Sequence, residues 1–154
     1  MSYVLVTPVR DEEAYIEETL RSVVNQTERP DEWIIVSDGS TDRTDEIIQP
    51  YADSHPFIHF IGNRDKTPRD FASQVFTIAI GLKQLTNQSS AFIGFLDGDI
   101  RLDPTYYQTM LTELQRDEKL GLAGGALHQR IGDRFVDQKI SEDSVAGGVQ
   151  LFRR

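Results

Sequence analysis

Cysteine is absent from this 154-residue chain. That removes disulfides and thiolate-held metals, and it suits a reducing compartment. Long apolar runs are missing as well. The longest, such as Trp33-Ile34-Ile35-Val36, last only a few residues, whereas a membrane-spanning helix needs roughly 20. No basic-then-apolar leader opens the sequence, so no secretory signal is expected. Neither Gly-x-Gly-x-x-Gly nor Gly-x(4)-Gly-Lys-Ser/Thr occurs, which argues against a dinucleotide-binding domain and against a P-loop. Histidine is scarce. His55, His59 and His128 are scattered, no pair sits at metal-ligand spacing, and each reads as structural or exposed. Positive charge is outweighed, with 16 Lys and Arg against 25 Asp and Glu, a formal net charge of -9. Such a surface repels phosphate backbones, so nucleic acid is not an expected partner.

What remains suffices for one ordinary domain, with 38% hydrophobic residues to fill one core. Val4-Leu5-Val6 reads as a buried strand ending at Thr7-Pro8. A helix should follow, with Glu12 and Glu13 in its first turn and Ile16, Leu20, Val23 and Val24 at helical spacing. Trp33 to Val36 is a second strand, and Thr41 to about Tyr51 a second helix capped by Ser40 or Thr41. Phe57 to Ile61 is a third strand. Phe71, Val75, Ile78, Ala79, Leu82 and Leu85 mark a long amphipathic helix. Ala91 to Leu96 is a fourth strand, and Pro104 opens a helix to about Arg116. Leu120 to Leu127 reads as a further strand loosened by glycines, and after Gly132 the pattern weakens. Strands alternating with helices predict an α/β fold, a mainly parallel sheet with helices on both faces. In such sheets ligands bind beyond the carboxyl ends of the strands. Three polar clusters fall there.

Asp97-Gly98-Asp99 follows the apolar run Phe92-Ile93-Gly94-Phe95-Leu96. Two carboxylates two residues apart can share one hard cation, magnesium or manganese, that keeps coordination sites for phosphate oxygens. Gly98 lets backbone approach a ligand closely. An EF-hand starting at Asp97 fails, because Arg101, Leu102 and Gln108 stand where a ligand, a glycine and a glutamate are required. Strand-Asp-x-Asp also resembles the nucleophile motif of haloacid-dehalogenase-type phosphatases. That motif usually sits on the first strand, and about 55 residues after Asp99 leave too little chain for the rest of that core. The second cluster runs from Ser37 to Thr44. It reads as a strand-to-helix turn, except that Asp38 at the strand tip could accept a hydrogen bond from a nucleobase or a ribose hydroxyl. In the third, Thr7 to Glu13, Arg10 could pair with a phosphate, with Asp38 or with a neighbouring Glu.

Together these clusters resemble the family 2 glycosyltransferases of the GT-A fold. Pro8-Val9-Arg10-Asp11-Glu12 is similar to the family's Pro-x-(Tyr/Arg)-Asn-Glu opening. Leu20-Arg21-Ser22-Val23-Val24-Asn25-Gln26-Thr27 is similar to its Leu-x-Ser-(Leu/Val)-x-x-Gln-Thr. Ile35 to Thr44 resembles Val-Asp-Asp-Gly-Ser-x-Asp-x-Thr, and Phe95-Leu96-Asp97-Gly98-Asp99 fits Phe-Leu-Asp-x-Asp. The resemblance implies a GT-A (Rossmann-like) nucleotide-sugar-binding domain over residues 1–154. Pro8, Val9 and Arg10 would line the nucleobase pocket with Glu12 close by, and Asp38 would contact the base. Asp97 and Gly98 would lie by the ribose or metal, and Asp99 would bind the Mn2+ or Mg2+ that bridges the diphosphate.

The implied activity is inverting transfer of a sugar from a nucleotide-diphosphate sugar to a glycan or lipid-linked acceptor in cell-envelope polysaccharide synthesis. The implied location is cytoplasmic, peripheral to the inner face of the cell membrane. A non-catalytic nucleotide-sugar-binding domain is the alternative. Departures from the pattern are Ser37 in place of an Asp, Arg10 in place of a common tyrosine, and Asn63-Arg64-Asp65-Lys66-Thr67-Pro68-Arg69 in place of a glycine-rich loop. Gly147 to Arg154 resembles the stretch that precedes the family's acidic base, so the base and the acceptor region are expected beyond Arg154. Ser141-Glu142-Asp143 is a weaker substitute, lying before Gly147-Gly148.

Overall fold

The computed structural model describes residues 2–63, 71–137 and 144–154. Three βα units open the chain: β1 (Tyr3–Val9) and α1 (Ile16–Val24), β2 (Glu32–Asp38) and α2 (Thr44–Ser54), β3 (Ile58–Asn63) and α3 (Phe71–Gln84). β4 (Phe92–Leu96) and α4 (Tyr106–Arg116) follow, then β5 (Leu122–Ala123), a hairpin of β6 (His128–Ile131) and β7 (Arg134–Asp137), and β8 (Val149–Arg153). The main sheet has the order β3-β2-β1-β4-β8-β5. β3, β2, β1 and β4 run parallel, and β8 runs antiparallel to both β4 and β5. The expected α/β architecture is therefore present, with one antiparallel strand inside it. The strand order reverses at β1, which pairs β2 on one side and β4 on the other.

Both faces of the central strands are buried, as their unbroken apolar runs require. Tyr3, Leu5, Trp33 and Ile35 face a core filled by Ile16, Leu20 and Val23 of α1, Ile48 of α2, and Tyr107, Leu111 and Leu114 of α4. Val4, Val6, Ile34 and Val36 alternate to the other face, where Ile80 of α3 and Leu85 just past it pack. Several polar groups in this interior are paired, although the buried Tyr107 hydroxyl has no hydrogen-bond partner among the described residues. The Trp33 indole N–H donates to the Thr7 hydroxyl at 2.8 Å, and the Tyr3 hydroxyl donates to the Glu28 carbonyl at 2.8 Å. Glu32, 3% exposed at the start of β2, accepts the N–H groups of Thr86 and Asn87 and the Thr86 hydroxyl. Burial would raise its carboxyl pKa, but these hydrogen bonds and His59 outweigh that and hold it below the usual range.

The inward side of α3 differs from the sequence expectation. Val75, Phe76 and Leu82 are exposed, whereas Ser73, Thr77 and Leu85 are buried. The reason is close approach: a Cβ on Gly81 would lie 2.6 Å from Val6 Cγ1 and 3.3 Å from Val36 Cγ2. The buried stripe Ser73-Thr77-Gly81 is built of small residues at four-residue spacing, and Val75, Phe76 and Leu82 lie off it. Other boundaries moved for local reasons. α1 begins at Ile16 rather than near Glu12, because the preceding N–H groups bond to another loop. α2 begins at Thr44 with neither Ser40 nor Thr41 as its cap. The strand expected over Leu120 to Leu127 shrinks to two residues. β7 and β8 arise where the apolar pattern had weakened.

Candidate functional site

At the carboxyl edge of the sheet, beside the reversal in strand order, lies a cleft of about 230 Å³. It is lined by Pro8, Val9, Arg10 and Glu12 after β1, Asp38 at the tip of β2, and Asp97, Gly98 and Asp99 after β4. All eight residues singled out in the sequence thus meet in one cavity. Ser73, Gln74 and Thr77 of α3 complete the wall, and sequence reasoning missed them. The signal was present in the four-residue spacing of Ser73, Thr77 and Gly81, which reads as a polar, closely packed helix face.

Asp38 is 5% exposed. Arg10 supplies a cation to it, Nη1 lying 3.4 Å from Asp38 Oδ2. Of the partners considered for Arg10, Asp38 is therefore one it has in this state. Across the cleft the Gln74 amide donates to Asp97 Oδ1 at 3.4 Å. Burial first, and the nearby Asp99 second, push the Asp97 carboxyl up to about 6.

The loops that carry these groups are tied together. Asp11, Glu12 and Glu13 donate their N–H groups to Ser40 Oγ (3.2 Å), Thr44 Oγ1 (2.7 Å) and Asp42 Oδ2 (3.0 Å). In return, Thr41 N–H donates to Asp11 Oδ1 at 2.7 Å and Arg43 N–H to Glu13 Oε2 at 3.0 Å. Asp42 Oδ1 takes the Thr44 N–H at 2.9 Å. The Ser-x-Asp-x-Thr half of the second cluster therefore holds the β1–α1 loop in place, and only Asp38 of that cluster lines the cleft. Ser37, where an Asp is common, is fully buried with its hydroxyl 2.9 Å from that of Ser40. Asp11 adopts φ 54°, a left-handed conformation that Asp and Asn tolerate better than most residues.

The donor set fits a hard divalent cation only in part. Asp97 and Asp99 offer carboxylate oxygens, and a cation would relieve the Asp99 repulsion that adds to burial in raising Asp97. No group of three or more His, Cys, Asp or Glu among the described residues is placed to hold a metal. A cation here would need oxygens from water or a phosphate, the usual way magnesium is held. His55 and His59 lie outside the cleft, and His128 pairs with Asp137 at 2.6 Å on the hairpin. The basic loop over 64–69 and the acidic stretch 141–143 lie outside the described residues.

An open α/β sheet with an acidic cleft at its strand reversal is the architecture of the GT-A fold. The chain belongs to glycosyl transferase family 2, whose profile matches residues 4–145. It is 28% identical over 130 residues to the uncharacterized glycosyltransferase EpsJ of Bacillus subtilis (strain 168), covering 84% of this chain and 35% of EpsJ. It is 31% identical over 106 residues to the chondroitin synthase of Escherichia coli, covering 69% of this chain and 14% of that protein. Among solved structures it superposes on the Pyrobaculum calidifontis mannosyltransferase PcManGT, in complex with GDP-Man and Mn2+. The TM-score is 0.72 at 18% identity, over 99% of this chain and 44% of that one. The chain thus spans well under half the length of each of these proteins. The family assignment leaves the phosphatase reading of Asp97 without support. No helix among the described residues is long and apolar enough to cross a membrane.

Proposed function

We propose that this chain forms the donor half of an inverting glycosyltransferase that moves a sugar from a nucleoside diphosphate sugar to a glycan or lipid-linked acceptor. The observation that carries the reading is the convergence of Asp38, Arg10 and the Asp97-Gly98-Asp99 loop on one cleft. Asp38 and Arg10 pair an acceptor with a donor at one end, the combination needed to read a nucleobase edge. Pro8 and Val9 offer apolar contact between them. Asp97 and Asp99 would hold a Mn2+ or Mg2+ ion at the diphosphate end. When bound, that cation supplies charge stabilisation to the departing diphosphate. The acceptor hydroxyl, deprotonated by a general base, attacks C1 of the sugar from the opposite side. The fraction of its relatives' length that the chain covers supports placing that base outside these 154 residues. The Mn2+ and GDP-Man held by the similar mannosyltransferase support the metal and the class of donor. A role in cell-envelope polysaccharide synthesis, peripheral to the cytoplasmic membrane face, is the setting this reading implies.

The test is titration calorimetry with UDP, GDP, CDP, ADP and dTDP, with and without Mn2+. Binding of at least one that is lost on adding EDTA is expected. If none binds in millimolar Mn2+, the reading is wrong.

A further inference from the structure

We propose that Thr19 of α1 is a positioning residue for the cation-binding loop, an inference that rests on the donor-binding reading above. Thr19 is fully buried on a helix face otherwise formed by Ile16, Leu20 and Val23. A threonine hydroxyl inside a helix ordinarily turns back onto the carbonyl four residues earlier. Thr77, Thr109 and Thr112 of this chain do so, bonding Ser73, Thr105 and Gln108. Thr19 does not. Its hydroxyl donates to the carbonyl of Gly98 at 2.8 Å, across 79 residues of sequence.

That carbonyl belongs to the peptide joining Gly98 to Asp99. Fixing the plane of this peptide fixes the direction in which the Asp99 side chain leaves the backbone. The same point is closely packed by β1 and the start of α1. A Cβ on Gly98 would lie 2.8 Å from Val9 Cγ1, 3.4 Å from Glu12 Cγ and 3.5 Å from Ile16 Cδ1. The loop is thus wedged onto the β1–α1 turn and locked there by one hydroxyl.

The residues just past α1 hold the far end of the same loop. The Gln26 amide donates to the Asp103 carbonyl at 2.7 Å and its oxygen accepts the Tyr107 N–H at 3.1 Å. Thr27 N–H donates to the Pro104 carbonyl at 2.9 Å. The Gln26-Thr27 pair just past α1 therefore anchors the start of α4, while Thr19 sets the carboxylate end. A loop pinned at one end by α1 and at the other by the residues that follow it presents Asp99 at a fixed point before any ligand arrives, so less order has to be imposed on binding.

The test compares wild type with Thr19→Val, which keeps the volume and loses the hydroxyl, and Thr19→Ser, which keeps the hydroxyl. Mn2+-dependent binding of UDP and GDP is measured by calorimetry and Mn2+ alone by electron paramagnetic resonance, below the melting temperature of every variant. Thr19→Ala serves where Thr19→Val does not fold. Affinity should fall about tenfold or more in Thr19→Val, the scale at which outer partners act on metal sites. It should return to within about threefold of wild type in Thr19→Ser, which a volume effect would not give. Hydrogen exchange over residues 97–103 should rise in Thr19→Val alone. Wild-type binding with undiminished binding by Thr19→Val would overturn the assignment of Thr19 and leave the donor-binding reading standing. Wild type that binds no nucleotide would overturn both.

Discussion

The Gly148 carbonyl accepts the backbone N–H of Asp97 at 2.8 Å. By that bond the turn leading into β8 holds the backbone of Asp97 in the Asp97-Gly98-Asp99 loop. A side chain at Gly148 would place its Cβ 3.1 Å from Asp97 Oδ2 and 3.3 Å from Ile100 Cδ1. Gly148→Ala should therefore displace the carboxylate and weaken Mn2+-dependent nucleotide binding about tenfold. Gly148 does not adopt a positive φ, so the melting temperature should change little. Calorimetry with a thermal melt checks both, and unchanged nucleotide affinity would remove β8 from the site.

Asp97→Asn should act in opposite directions on binding and on stability. In cation-free protein the Asp97 carboxyl is raised to about 6, above its ordinary value of 3.8. The folded state then binds the proton more tightly than the unfolded one. Stability from this group is present at low pH and is lost as pH rises from about 4 to about 6. Removing the charge should thus leave EDTA-treated protein at pH 7.5 at least as stable as wild type. Mn2+-dependent nucleotide affinity should drop on the order of 100-fold. A variant that melts lower and binds normally would contradict both expectations.

Glu32→Gln should destabilise the fold by about 1–3 kcal/mol, because a buried charged acceptor of several N–H groups is replaced by a weaker one. The Glu32 carboxyl is held below its ordinary pKa. Its contribution is therefore full above the unfolded-state value and lost as pH falls through the folded one. Urea unfolding of both proteins at pH 7.5 and in an acid series should show a gap that narrows with acidification. A gap independent of pH would assign the effect to packing.

Asp11→Asn should be tolerated and Asp11→Ala should cost about 1–2 kcal/mol. Asparagine keeps the Oδ1 that accepts the Thr41 N–H and tolerates φ 54°, whereas alanine does neither. Hydrogen exchange at residues 10–13 and 40–44 should rise together in Asp11→Ala, since the two loops hold each other. Equal stability of the two variants would show that the interlock contributes little.

Strands β1 to β4 and the helices were legible because their signals are local. Leu5, Trp33, Ile35 and Leu96 sit in short apolar runs bounded by proline, glycine or acidic turns. The parallel arrangement followed from alternating strands and helices. The cleft was legible because Pro8, Asp38 and Asp97 each stand directly past a strand, where parallel pairing must bring them to one edge. The face of α3 was misread because bulky residues suggest burial, whereas a helix laid tightly on β1 and β2 requires small ones. β8 was missed because its pairing with β4 and β5 is non-local and its neighbourhood carries little periodicity.

Sequence alone determined the alternating α/β order, the acidic residues past the strand ends and the family to which they point. These depend on spacing along the chain, which folding does not alter. Tertiary structure decided that β8 enters between β4 and β5 to back Asp97, and that Ser73, Gln74 and Thr77 complete the cleft. It also decided that Thr19 holds the Gly98 carbonyl. Each is a contact between segments tens of residues apart, fixed by how closely helices and strands pack and by which buried polar groups must find partners.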